Sequence, residues 1–94
     1  MNSNKFEGSL TTFPSNVQLL DLSDNLLSGH VPQTDETVNP SLEVVNLSKN
    51  RFTGTIPVHL CKVPSIWVLD LSNNKFYGRI PRCLENLNGL RVLL

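Results

Sequence analysis

Three stretches of the chain repeat one another: LDLSDNLLSGHVP at residues 20–32, VNLSKNRFTGTIP at 45–57 and LDLSNNKFYGRIP at 69–81. With Asn25, Asn50 and Asn74 in register, the intervals are 25 and 24 residues. A period of that size builds a solenoid, in which every coil packs only on its neighbours. In each copy an apolar residue stands eight, five and three places before the Asn: Val17, Leu20 and Leu22; Leu42, Val45 and Leu47; Ile66, Leu69 and Leu71. Beyond the Asn come Leu27, Phe52 or Phe76, then Gly29, Gly54 or Gly78, then Val31-Pro32, Ile56-Pro57 or Ile80-Pro81.

Partial copies flank these three. NKFEGSL puts Asn4, Phe6, Gly8 and Leu10 on the same offsets, with Thr11 where the others have Pro. At the other end Leu84, Leu87, Leu90 and Leu93 recur every third residue, and Leu90 and Leu93 align with Ile66 and Leu69 at an interval of 24. The expected organisation is one array: a partial repeat at 1–16, repeats at 17–41, 42–65 and 66–89, and a partial repeat at 90–94. Solenoids protect their end coils with polar caps. None is legible here, so the sequence reads as a fragment of a longer array, expected to be aggregation-prone or weakly cooperative by itself.

The residue types follow from the geometry of a coil. Leu69-Asp70-Leu71-Ser72 alternates with the two-residue period of a strand, which turns Leu69 and Leu71 inward and Asp70 and Ser72 outward. One such strand per coil stacks into a parallel sheet. The repeated Asn stands where the chain leaves the strand. Its amide carries donors and an acceptor together, so it can satisfy backbone groups of its own coil and of the next, which an acceptor-only Asp could not. Gly suits a left-handed backbone position or a close approach between coils. Pro suits extended chain whose missing N–H is not needed.

Composition narrows the function classes. Eight Lys and Arg balance eight Asp and Glu, so no global charge draws the chain to nucleic acid or anionic lipid. The distribution is uneven: residues 1–47 hold one base and six acids, residues 48–94 seven bases and two acids. Lys75, Arg79, Arg82 and Arg91 lack the interleaved aromatics of a nucleic-acid site, and read as solvated surface positions. The segment MNSNKFEGSL has no apolar stretch that reads as a secretory signal, and no run approaches the ~18 apolar residues of a membrane span. No membrane insertion by this chain is expected.

The longer string L-x-x-L-x-L-S-x-N-x-L/F-x-G-x-I-P resembles the plant-type extracellular leucine-rich repeats of receptor-like proteins and receptor-like kinases. The likeness runs from about residue 2 to the end. It implies an α/β-type solenoid, a right-handed superhelix with short parallel strands on the concave face and an irregular or 3₁₀ convex side. It also implies extra strands near Leu27–Gly29, Phe52–Gly54 and Phe76–Gly78. The pattern breaks at PQTDETVNPSL (32–42), where Glu36 and Asn39 take places expected to be apolar; a convex loop is expected there. The phrase IPVHLCKVPSIWVLDLSNNKFYGRIPRCL is similar to membrane-proximal repeats of receptor-like proteins, which frequently carry Cys at such places. For an exported chain this implies a Cys61–Cys83 bridge, although the two cysteines sit eleven and nine places after their Asn, offset by two between adjacent coils.

Asn46-Leu47-Ser48 is a glycosylation sequon, and Asn46 also simply occupies the place of Asp21 and Asp70. A glycan there would cover the middle of the concave sheet. Catalysis needs a nucleophile, a base and a group to hold the base. His30 and His59 both follow the strand without an acidic partner at a useful offset, and read as solvated. No metal ligand set, phosphate-binding loop or cofactor motif stands in the chain. Binding is what the coil geometry offers. The outward concave positions include Leu19, Asp21 and Ser23; Val44 and Ser48; Val68, Asp70 and Ser72, with Trp67 beside the apolar column as the candidate anchor. The resemblance implies a non-catalytic, cell-surface recognition module with a peptide or protein ligand and a partner receptor kinase, in signalling or defence. Two other readings stand beside it: a secreted enzyme inhibitor resembling the polygalacturonase-inhibiting repeats, or a truncated gene copy without a function of its own.

Overall fold

The computed structural model describes residues 7–10, 12–32, 34, 38–85 and 89–94. Strands β2 (Leu19–Asp21), β4 (Val44–Asn46), β6 (Val68–Asp70) and β8 (Arg91–Leu93) form one parallel sheet, the concave face. Strands β1 (Glu7–Ser9), β3 (Leu26–Gly29), β5 (Arg51–Thr55) and β7 (Lys75–Tyr77) form a second, lateral one. These are the extra strands expected from the G-x-I-P half of each repeat. The convex side is irregular at the described residues between 31 and 43, and carries a 3₁₀ segment at Val58–Lys62 and a single helical turn, α1, at Arg82–Glu85.

Strand alternation sorts the side chains as expected. Leu20, Val45 and Leu69 stand in register across the concave sheet and are buried, as are Leu22, Leu47 and Leu71 two places on. Phe52 is fully enclosed and stacks on Phe76, their ring centroids 6.3 Å apart and their planes 10° from parallel. Hydrophobic burial on this scale, shared between coils, replaces the compact core of an ordinary domain.

The Asn residues form the column that ties the coils together. The Asn50 amide donates to Leu47 O and Ser48 O in its own coil and to Leu22 O in the preceding one, while its Oδ1 accepts the Leu27 N–H at 3.1 Å. Asn74 repeats the pattern one coil later, donating to Leu71 O, Ser72 O and Leu47 O and accepting from Phe52 N–H. Asn25 donates to Leu22 O and Ser23 O. Asn4, the expected first member, lies outside the described residues. The residue before each Asn (Asp24, Lys49 and Asn73) has left-handed backbone, with φ of 58°, 57° and 56°. That turn aims the Asp24 and Lys49 N–H groups at Ser48 O and Ser72 O of the following coil, both at 3.0 Å. Asp and Asn adopt this conformation readily; Lys49 does so against the preference of its side chain.

Two features depart from expectation. Leu93, aligned with Leu69 by the 24-residue interval, instead pairs with Asp70, and Val92 pairs with Leu69. The last interval is thus one residue shorter, and a one-residue shift exchanges the faces of a strand: Leu93 points outward, 47% exposed. The lateral sheet is also staggered. Leu27 and Phe52 are 25 apart in sequence, yet the paired residues Ser28 and Arg51 are 23 apart. A two-residue stagger keeps every side chain on its own face while shearing the lateral strands relative to the concave ones.

Candidate functional site

The outer surface of the concave sheet is built from columns one residue wide. Leu19, Val44, Val68 and Arg91 stand side by side in register, so an apolar column ends on a guanidinium. The next outward column is Asp21, Asn46, Asp70 and Leu93. Arg91 and Leu93 join these columns because of the shortened last coil, which the Leu rhythm hid. Leu19 is 61% and Trp67 50% exposed. Both line a shallow groove with Gln18, Glu43 and Val44. The Gln18 amide donates to the Glu43 carboxylate beside it, which orients both polar heads at the groove's edge.

The structure corrects the outward placement expected of the serines. Ser23 and Ser48 are buried, and Ser72 is half-buried. Each donates its hydroxyl and its backbone N–H to the Oδ1 two residues back: Ser23 to Asp21, Ser48 to Asn46 and Ser72 to Asp70, with hydroxyl distances of 2.6 to 2.7 Å. The L-S half of the motif therefore closes a turn at the end of each strand. One oxygen of Asp21, Asn46 and Asp70 is committed to that turn as well. What remains toward solvent is Leu19, Val44, Trp67 and Val68, edged by the other polar atoms of Asp21, Asn46 and Asp70.

The convex side holds this surface in place. Cys61 and Cys83 are bridged, their Cα atoms 5.8 Å apart. The two-residue offset between them is absorbed by joining the end of the 3₁₀ segment to α1. Asn39, expected in a loop, is fully buried: its Oδ1 accepts the Val17 N–H and its amide donates to Pro14 O and Thr34 Oγ1. A polar residue in an otherwise apolar rhythm was the available signal, and it marks a hydrogen-bonded staple between coils. His59 is corrected too. It is half-buried and bonds Pro32 O through Nε2 at 2.9 Å. Burial pushes its pKa below the ordinary value, against the raising effect of the Pro32 bond and with a smaller lowering by Lys62. His30 is exposed on the turn after β3, where its ring lies against Gly54.

No helix among the described residues is long and apolar enough to cross a membrane, and none of their His, Cys, Asp and Glu side chains cluster in threes as a metal site would need. Residues 15–76 match the family model described as Leucine rich repeat. Receptor-like protein EIX2 of Solanum lycopersicum is 51% identical over 75 residues, covering 80% of this chain and 7% of that protein. Receptor-like protein 35 of Arabidopsis thaliana is 33% identical over 62 residues, 63% of this chain and again 7% of the relative. The chain thus spans about 7% of the length of the curated relatives it matches. Among solved structures, the BIR2 ectodomain from Arabidopsis thaliana superposes with a TM-score of 0.83 at 32% identity, over 96% of this chain and 48% of that one. The Arabidopsis receptor kinase HAESA, solved in complex with the peptide hormone IDA and the co-receptor SERK1, superposes with a TM-score of 0.74 at 33% identity, over 93% of this chain and 15% of that one.

Proposed function

Because the chain belongs to the leucine-rich-repeat family, with plant receptor-like proteins and receptor ectodomains as its relatives, we propose that its concave face is a docking surface for a peptide or protein ligand. On this reading it forms part of an ectodomain outside the plasma membrane that signals, in defence or development, through a partner receptor kinase. The observation that carries the reading is Trp67. A half-exposed indole beside the Leu19–Val44–Val68 column offers an apolar anchor rimmed by polar groups, the arrangement on which binding energy concentrates. The HAESA complex supports a peptide as the class of ligand.

The test begins with peptides selected from a displayed random library on the oxidised chain. Trp67→Ala weakens the selected binders about tenfold or more, the size of a hot-spot truncation, while the exposed lateral change Thr53→Ala leaves them unchanged. Binders indifferent to Trp67 and to Leu19→Ser would remove the concave face from consideration.

Asn46 belongs to the same reading. In an exported protein it is a glycan acceptor: its Oδ1 is held by Ser48, and its nitrogen stands on the outward column between Asp21 and Asp70. A glycan there confines a ligand to the Leu19–Trp67 side of the sheet. The secreted chain should lose mass on enzymatic release of N-glycans, and Asn46→Asp, which copies the residue of the neighbouring coils, should abolish that loss with the fold intact. An unmodified Asn46 in a secretory host would end this part of the proposal.

A further inference from the structure

We infer that the concave groove takes an arginine side chain of the ligand, an inference that rests on the docking role proposed above and names the chemistry of what docks. Backbone bonds stack the groove coil by coil: the Glu43 N–H donates to Gln18 O at 2.8 Å and the Trp67 N–H to Glu43 O at 2.9 Å. Gln18, Glu43 and Trp67 therefore follow one another across three coils, at about the 4.8 Å spacing of neighbouring strands. Leu19, Val44 and Val68 run beside them in the same order. Gln18, Leu19, Glu43, Val44 and Trp67 line the groove, which thus brings one carboxylate together with apolar side chains and a half-exposed indole.

Glu43 is the one charged residue lining the groove, and it is half-buried. Among the described residues its side chain has Gln18 as its partner, whose amide orients the carboxylate without neutralising it. Asp21 and Asp70 add negative charge in the adjoining outward column. Two bases share the concave side. Lys49 lies beyond the opposite end of β4, and Arg91 stands two strands away from Glu43, in line with Val68. Arg91 repels a cation at its own end of the column, which leaves the Glu43 end to receive one. Arginine meets every element of that end. Its planar guanidinium pairs with a carboxylate and stacks on an aromatic face, while its aliphatic stem covers apolar surface such as Leu19 and Val44. An acidic side chain would be repelled by Glu43, and an apolar one would cover the carboxylate without pairing it, at a cost in desolvation.

The experiment takes the peptides selected on the oxidised chain and compares each with versions in which arginine is exchanged for lysine or for citrulline, a neutral side chain of nearly the same shape. Binders that need Trp67 should be enriched in arginine. Exchange to citrulline should weaken them about tenfold or more, and exchange to lysine several-fold, since an ammonium keeps the charge without the planar stack. Glu43→Gln should weaken the arginine peptides several-fold, and on that variant the citrulline exchange should cost less than on the parent, as a direct pair requires. The amide NMR map of Glu43→Gln without peptide verifies its fold. Binders that need Trp67 but carry no arginine, or that are indifferent to Glu43→Gln, would overturn the inference and leave the docking role standing. Equal affinity of the lysine peptides would overturn it as well. Binders indifferent to Trp67→Ala and to Leu19→Ser would instead remove the docking role, and this inference with it.

Discussion

Replacing Asn50 with alanine lowers the stability of the oxidised chain by about 3–5 kcal/mol, read from the shift in its urea unfolding midpoint. The side chain is buried and joins two coils through four backbone groups: it donates to Leu22 O, Leu47 O and Ser48 O and accepts from Leu27 N–H. Truncation leaves a buried N–H without its acceptor and withdraws the shared donor from three carbonyls. Each orphaned group costs about 1–3 kcal/mol, more than the net worth of the bond it made. Asn50→Asp should fare no better, because a carboxylate keeps the acceptor for Leu27 but faces the three carbonyls with a buried charge. Thr53→Ala, on the exposed face of the following strand, should stay within about 0.5 kcal/mol. An Asn50→Asp protein as stable as the parent would show that the amide does not join the coils.

Breaking the Cys61–Cys83 bridge has the second large effect. A cross-link closing a 22-residue separation contributes about 3 kcal/mol on the chain-entropy estimate. The bridge ties the 3₁₀ segment to α1, which holds buried Leu84 against the core that includes Leu60 and Val63. The double variant Cys61→Ser, Cys83→Ser should therefore unfold about 3 kcal/mol more easily, and its α1 and β8 amides should exchange first. Loss of stability spread evenly over the coils, with β8 as protected as β4, would contradict this placement of the bridge's effect.

Much of this architecture is legible in the repeat itself, because every inward position of β2, β4 and β6 obeys a two-residue alternation and the Asn column needs a side chain that both donates and accepts. Where reading failed, the cause is physical. The final strand offers LRVLL, in which Leu90 and Leu93 satisfy a rhythm of three while Val92 satisfies strand alternation. Both patterns are apolar, and pairing with β6 decides between them. Ser23 and Ser48 look outward by alternation, but the chain has already begun to turn, and their hydroxyls are captured by the preceding Asp21 and Asn46. Asn39 reads as a loop residue because its bonds to Pro14 O and Val17 N–H, more than twenty residues away, leave no trace in the local pattern. Arg51 and Lys75 each follow their Asn by one place, which alone would set them opposite one another, and the staggered register instead pairs Lys75 with Thr53. The column at Leu19, Val44 and Val68 with its adjoining Trp67 is legible in the repeat; the groove's edge is not, because Gln18 and Glu43 meet only across two stacked coils.

Amide hydrogen exchange tests the central claim, that one asparagine per coil ties each loop of backbone to the next. The Leu27 and Phe52 N–H groups belong to lateral strands and point at Asn50 Oδ1 and Asn74 Oδ1. They should be among the slowest to exchange, and Asn50→Ala should release Leu27 while Phe52 stays the better protected of the two. Leu27 and Phe52 amides exchanging in the parent chain as fast as an unfolded peptide would contradict it.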